Sequence, residues 1–228
     1  MLKDYLVPIH PAGWPFLAAA LLVAGLGLVL WLPLVWAGLA TAGFCAYFFR
    51  DPERITPARP GLVVSPADGL VSAVEPAVPP EELGLGSAPL MRISIFLSVF
   101  DVHINRVPAD GTISALAYRP GKFINAARDK ASSDNERRAV CLTTPQGKEI
   151  AFVQIAGLIA RRIICNLTEG QAVRAGERFG LIRFGSRADV YLPEGTAPLV
   201  APGQRMIGGE SVIADLGSGE GPRPGEVR

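Results

Sequence analysis

Residues 14–49 carry no charged side chain, a run of 36 positions. A helix drawn from such a stretch has no polar face, so it must lie in lipid or inside other protein. The run is too long for the core of a secretory signal, and no small-x-small cleavage site stands out in it. Leu32-Pro33-Leu34 divides it into segments 14–32 and 34–49. A spanning helix needs roughly 20 residues to cross about 30 Å of hydrocarbon. The first segment nearly reaches that and the second falls short. Two arrangements compete: a tight helical hairpin turning at Pro33, and one long kinked helix. Gly25, Gly27, Gly38 and Gly43 would let two helices approach closely. Lys3 precedes the run, and Arg50, Arg54 and Arg59 follow it. Positive charge on both flanks places both ends on the cytoplasmic side, which a hairpin satisfies and a single span does not. The expectation is a helical hairpin over residues 1–49 at the cytoplasmic face of the cell membrane, either crossing the bilayer or sunk into one leaflet.

The rest of the chain, about 170 residues, is enough for one domain with a proper core. Net charge is +1. With no basic excess and no aromatic-basic interleaving, nucleic acid is excluded as an expected partner. Cys45, Cys141 and Cys165 are odd in number and lack metal-site spacing, so they read as reduced thiols, and no metal is expected.

From residue 61 the pattern is strand-like. Pro66-Ala67-Asp68-Gly69 lies between strands at 62–64 and 70–74, and Pro108-Ala109-Asp110-Gly111 between Val107 and a strand at 113–118. The same box thus appears twice, 42 residues apart. Internal duplication and two independent type I turns both explain it. Residues 91–99 form a strong apolar strand, 119–138 an ordered loop with a short helix, and 139–143 with 150–155 a hairpin. Residues 173–181 resemble the last hairpin of lipoyl and biotinyl domains. The Gly/Pro/charged segment 216–228 is expected to be disordered. The predicted fold class is mainly β (α+β): a sandwich- or barrel-like domain over 50–215 with lipoyl-like hairpins, preceded by the helical hairpin.

Gly185-Ser186 sits inside an apolar, strand-like run, with Leu181, Ile182 and Phe184 before it and Val190 and Tyr191 after it. Glycine in a strand marks a kink or a close backbone approach. A serine hydroxyl there lies beside a carbonyl with no side chain to hinder attack, a setting suited to reaction with its own backbone. Any such reaction needs a base. His10, between Pro8 and Pro11, is poorly placed, which leaves His103 in Asp101-Val102-His103. A lone histidine after an apolar strand is more often structural, and Asp68 by itself is a turn aspartate.

Four stretches, in order and spacing, change that balance: the apolar region ending in FFRDPER (48–54), VVSPADGLV (63–71), FLSVFDVHINRVPADG (96–111) and IRFGSRADVYLP (182–193). KASSDNERR (130–138) and QIAGLIARRI (154–163) lie between them. The chain resembles the phosphatidylserine decarboxylase proenzymes of the short form over roughly residues 15–210. The resemblance implies self-cleavage between Gly185 and Ser186 into fragments 1–185 and 186–228. The hydroxyl of Ser186 attacks the Gly185 carbonyl, the resulting ester eliminates, and hydrolysis leaves a covalent pyruvoyl group and ammonia. That ketone is the implied cofactor, and phosphatidylserine in the membrane is the implied substrate, giving phosphatidylethanolamine and CO2. The resemblance places His103 and Asp68 at the site with Ser186. Asp68 would hold the imidazole's tautomer and stabilise the imidazolium, leaving Asp110 to turn chemistry. Arg161 and Arg162, Arg137 and Arg138, and Lys122 are candidate anchors for the substrate phosphate.

Two positions depart from the long-form pattern: Arg106 stands where a second histidine is expected, and Arg187 where a small hydroxyl residue is expected. Two other readings fit parts of the pattern. One is a membrane-anchored adaptor with a lipoyl-like β domain. The other is a membrane serine hydrolase using Asp68, His103 and Ser186, although the chain lacks a G-x-S-x-G elbow around Ser186. The sequence leaves open whether the chain forms a homo-oligomer.

Overall fold

A computed structural model describes residues 7–121, 135–157, 162–183 and 186–226. The expected short helix within 119–138 falls mostly outside these residues. The chain divides into two compact units, Met1–Glu53 and Arg54–Arg228.

In the first unit, helix α1 (Trp14–Leu30) is followed by helix α2 (Leu32–Phe48). Only Trp31 separates them, with extended backbone at φ −171° and ψ 118°. Pro33 sits in the first turn of α2, where its missing N–H costs nothing. The helices pack on each other through two glycines. A Cβ added to Gly27 would lie 2.6 Å from the Val35 nitrogen, and one on Gly38 2.5 Å from the Ala24 nitrogen. Gly25 and Gly43, expected at the same contact, instead face open space. They fall on the wrong side of the 3.6-residue turn. The two ends of the unit are tied together, with the His10 amide donating to the Phe49 carbonyl at 2.8 Å and that of Asp51 to Pro8 at 2.7 Å. The unit is therefore a hairpin, not one kinked helix. Pro11–Leu30 is long and apolar enough to cross a membrane, while α2 is shorter. Residues 28–32 at the hairpin tip are each at least 64% exposed, although all are apolar.

The second unit is antiparallel β. Its strands are β1 (Leu62–Val64), β2 (Gly69–Ala77), β3 (Leu90–Leu97), β4 (Ile104–Arg106), β5 (Gly111–Arg119), β6 (Arg137–Thr143), β7 (Glu149–Ala156), β8 (Ile163–Cys165), β9 (Ala172–Val173), β10 (Arg178–Ile182), β11 (Ser186–Tyr191), β12 (Arg205–Met206) and β13 (Val212–Asp215). An eight-stranded sheet runs β12-β2-β3-β11-β7-β6-β5-β9. Two small sheets, β1-β13 and β4-β10-β8, accompany it. Alternation along the central strands sends Ile93, Ile95, Val140, Phe152, Ala188 and Val190 into the main core. Ala139, Ala151, Val153 and Tyr191 go to the other face, where Leu83 packs against them. The mainly β expectation holds. The three cysteines are free thiols, with Cys165 only half-buried. Strand β3 stops at Leu97 rather than 99, because the Ser98 amide donates to the Asp101 carboxylate at 2.8 Å and closes a turn.

The two boxes are halves of one internal repeat. The Val64 amide donates to the Pro108 carbonyl at 2.7 Å, and the Arg106 amide to the Pro66 carbonyl at 2.8 Å. Each half has its own supporting turn, 201–210 for the first and 168–177 for the second. Gly209 donates to Ser65 as Gly176 donates to Val107, both at 2.8 Å. Gly203 donates to Val71 as Gly170 donates to Ile113, again at 2.8 Å. Within the turns, the Gln204 side chain accepts from Ala201 and that of Gln171 from Thr168. Gly209 and Gly176 share φ values of 81° and 80°, a region that favours glycine. The large sheet reads the same from both ends, β12-β2-β3-β11 answering β9-β5-β6-β7. Two independent turns would not share this whole set of bonds, so duplication is the reading that survives.

Candidate active site

Ser186 is the first residue of β11, a central strand. It stands opposite Leu97 of β3 on one side and Ala156 of β7 on the other. Its side chain is fully buried, and its hydroxyl has no hydrogen-bond partner among the described residues. A buried hydroxyl left in that state costs on the order of 1–3 kcal/mol, which marks a position kept for something other than stability. Alternation puts it on the face of Ala188 and Val190, toward the main core. The Ala156 carbonyl opposite it is held by the side-chain amide of the wholly buried Asn135 at 2.7 Å. Gly185 lies outside the described residues, between the end of β10 and the start of β11.

His103 follows the turn 98–101 and precedes β4. It is 2% exposed, and its Nδ1 lies 3.0 Å from the Asp101 carbonyl. A carbonyl only accepts, so Nδ1 carries the proton and Nε2 is the basic nitrogen. The turn is locked by Asp101. Its carboxylate accepts from the Ser98 amide and, at 2.8 Å, from Arg205. Burial pushes the Asp101 carboxyl upward, but these donors outweigh it and hold it below the ordinary range.

Asp68 is the third residue of the first box, immediately before β2. Leu70 stands opposite Phe96, and Phe96 opposite Arg187. The start of β2, the end of β3 and the start of β11 therefore lie at one end of the sheet, and Asp68 lies at the same end as Ser186. Its Oδ2 accepts from Arg54 at 2.7 Å and its Oδ1 from the Gly208 amide at 2.8 Å.

The two departures acquire structural roles. Arg106 is buried, and its guanidinium donates to the Gly176 carbonyl at 2.8 Å. An added Cβ on Gly209 would come within 2.7 Å of its side chain, so it packs where the two halves of the repeat meet. Arg187 points to the opposite face from Ser186. There it forms a two-pronged pair with the wholly buried Asp189, at 2.9 and 3.0 Å. Arg92 joins this cluster and also pairs with Glu75.

Of the phosphate candidates, Arg137 is held by Glu82 through two bonds of 2.7 and 2.9 Å. Arg162 is exposed, while Arg161 and Lys122 lie outside the described residues. Arg183, which sequence reasoning passed over, faces Arg162. Burial and the Arg162 charge push its guanidinium below its ordinary pKa. Nothing in the periodicity separates Arg183 from any other arginine at a strand end. Among the described residues, no group of three or more His, Cys, Asp or Glu side chains is placed to hold a metal.

The phosphatidylserine decarboxylase family model matches residues 41–214. This chain belongs to the phosphatidylserine decarboxylase family. It is thus an enzyme, a carboxy-lyase by family. The proenzyme of that decarboxylase from Paramagnetospirillum magneticum is 62% identical over 221 residues, 97% of this chain and 92% of its own length. The proteins of the same description from Granulibacter bethesdensis and Cereibacter sphaeroides are 61% and 57% identical, covering 94% and 100% of this chain and 88% and 98% of their own lengths. The family match takes in Asp68, His103 and Ser186.

Proposed function

We propose that this chain is a self-processing decarboxylase. It cleaves itself between Gly185 and Ser186, turns Ser186 into a pyruvoyl group, and converts phosphatidylserine to phosphatidylethanolamine and CO2. The burial of Ser186 carries the reading. An unbonded hydroxyl on the first residue of a central strand is out of reach of an external ester, yet it adjoins the carbonyl of its own preceding residue. A serine hydrolase of the elbow type needs a strand-turn-helix around an exposed serine. Here Ser186 is buried and opens a strand, which disfavours that alternative. The adaptor alternative gives no account of a buried, unbonded serine or of the family match.

Each residue then has a task. His103 Nε2 takes the proton of the Ser186 hydroxyl as it attacks, a general-base contribution of about 10²–10⁴-fold. The Asp101 carbonyl sets the histidine tautomer, so the part left to the Asp68 carboxylate is to stabilise the imidazolium. The residues present fit a pyruvoyl group, because it derives from the serine already at the site and needs no separate pocket. When formed, that ketone supplies the electron sink that decarboxylation requires. His103 delivers the proton that replaces CO2 on the substrate. Arg162 and Arg183, with Arg161, attract the substrate phosphate. The helical hairpin keeps the chain at the cytoplasmic face of the membrane, where the lipid tails remain.

The cut leaves the two fragments together. The small one, 186–228, contributes β11 between β3 and β7, β12 beside β2, and β13 beside β1. Those ladders persist when one peptide bond is lost. Intact mass of the purified protein tests the proposal. Two chains are expected, 1–185 and 186–228, the second blocked at its N-terminus, with Ser186→Ala remaining single. An active wild-type preparation that stays whole rejects it.

A further inference from the structure

The internal repeat supplies its own control for Asp68. Asp110 holds the matching place in the second box and accepts from the Ala175 amide at 2.9 Å, as Asp68 accepts from Gly208 at 2.8 Å. That bond therefore belongs to the turn and says nothing about function. What the halves do not share is Arg54. Its guanidinium donates to Asp68 Oδ2 at 2.7 Å, with the two side chains only 15% and 16% exposed. Among the described residues Asp110 has no ion pair, and it is exposed. Arg54 is held in place by its neighbour, because the Ile55 amide donates to Glu210 at 2.9 Å. A Cβ on Gly208 would lie 3.1 Å from Asp68 Oδ1, so the carboxylate is gripped closely from both sides.

We propose that Arg54 is a positioning residue for self-cleavage, holding the Asp68 carboxylate ionised and in one orientation. The proposal rests on the reading of Asp68 as part of the site. A guanidinium adds a directed, charge-assisted bond that a lone amide cannot supply, and a pair this shielded is weakly screened by salt. The described elements around Asp68 bring the following charged groups. The 207–211 turn brings the Gly208 amide and Glu210. Strand β4 brings Arg106, which packs on Gly209. Beyond Leu70, β12 and the 98–101 turn bring the Arg205–Asp101 pair. His103 follows that turn in the chain.

The test follows cleavage of freshly synthesised full-length chain against pH, in Arg54→Gln, Arg54→Lys and Asp68→Asn. Removing the Arg54 cation makes Asp68 more basic and relieves repulsion on a protonated His103. The imidazolium is then held more tightly, and a higher pH is needed to free the base. Arg54→Gln is expected to slow cleavage about tenfold near neutrality and to move the acid limb of the profile up by about one pH unit. Arg54→Lys, which keeps the charge without the planar guanidinium, should leave the limb in place and slow cleavage about threefold. A merely structural role would lower the yield of folded chain and move neither limb. An Arg54→Gln limb that stays put overturns the proposal. If that variant does not accumulate, wild-type cleavage by Arg54→Lys overturns it instead. Wild-type cleavage by Asp68→Asn rejects the underlying reading of Asp68, whatever Arg54 does.

Discussion

Arg187 and Asp189 show how much one buried pair constrains a strand. Both lie on the face of β11 that points away from Ser186, and both are nearly inaccessible. Removing one partner takes from the other its close two-pronged counterion in the interior, leaving Arg92 at 4.0 Å beside Asp189. Arg187→Met or Asp189→Asn alone is expected to cost about 3–5 kcal/mol, while Arg187→Met with Asp189→Leu should recover most of it. Denaturant unfolding of the uncleaved Ser186→Ala precursor measures all three on one background. A second residue-scale prediction concerns Asp101. Its folded pKa lies below the usual value, so its contribution is present above the unfolded pKa of about 3.9 and is lost as pH falls through the folded one. Arg205→Met removes the main donor and should raise the pH of acid unfolding. An unchanged midpoint would show that the Ser98 amide suffices.

Among the elements, the helical hairpin separates glycines by face. Gly38 has no room for a side chain against Ala24, whereas Gly25 looks into open space. Gly38→Leu should destabilise the hairpin by about 1–3 kcal/mol through overpacking. Gly25→Leu should not, and thermal melts of the full chain in detergent distinguish the two. The sequence carried the hairpin well: a Pro-marked break in an uncharged run and positive charge on both flanks. It could not rank the four glycines, because each one marks a possible close approach and only the rotation of one helix against the other selects the two that touch. The strands were legible for a similar reason, since period-2 burial is written locally. Their ends were not. Ser98 closes β3 through a turn bond to Asp101, and β6 starts at Arg137, whose guanidinium is held by Glu82 far away in the chain.

At the scale of the molecule, the repeat explains why two identical boxes need not share a task. Asp68→Asn and Asp110→Asn each weaken one bond to a backbone amide, worth about 1 kcal/mol of stability, and Asp68→Asn loses the Arg54 ion pair as well. Only Asp68→Asn is expected to slow self-cleavage, by about a hundredfold or more. Fragment ratios from parallel expression of the two variants read this directly, and equal cleavage in both would place Asp68 with the turn chemistry of its counterpart.

The order of residues by itself determined the uncharged hairpin, the strand-rich remainder, the doubled box and the Gly185-Ser186 bond, because charge, turn chemistry and alternation act between near neighbours. Tertiary structure alone decided which boxes exchange hydrogen bonds, that Asn135 braces the strand beside Ser186, and that Arg54 meets Asp68. Those partners lie 14 or more residues apart, and a pairing over that distance leaves no periodic trace. It exists only once the fold has brought the two segments side by side.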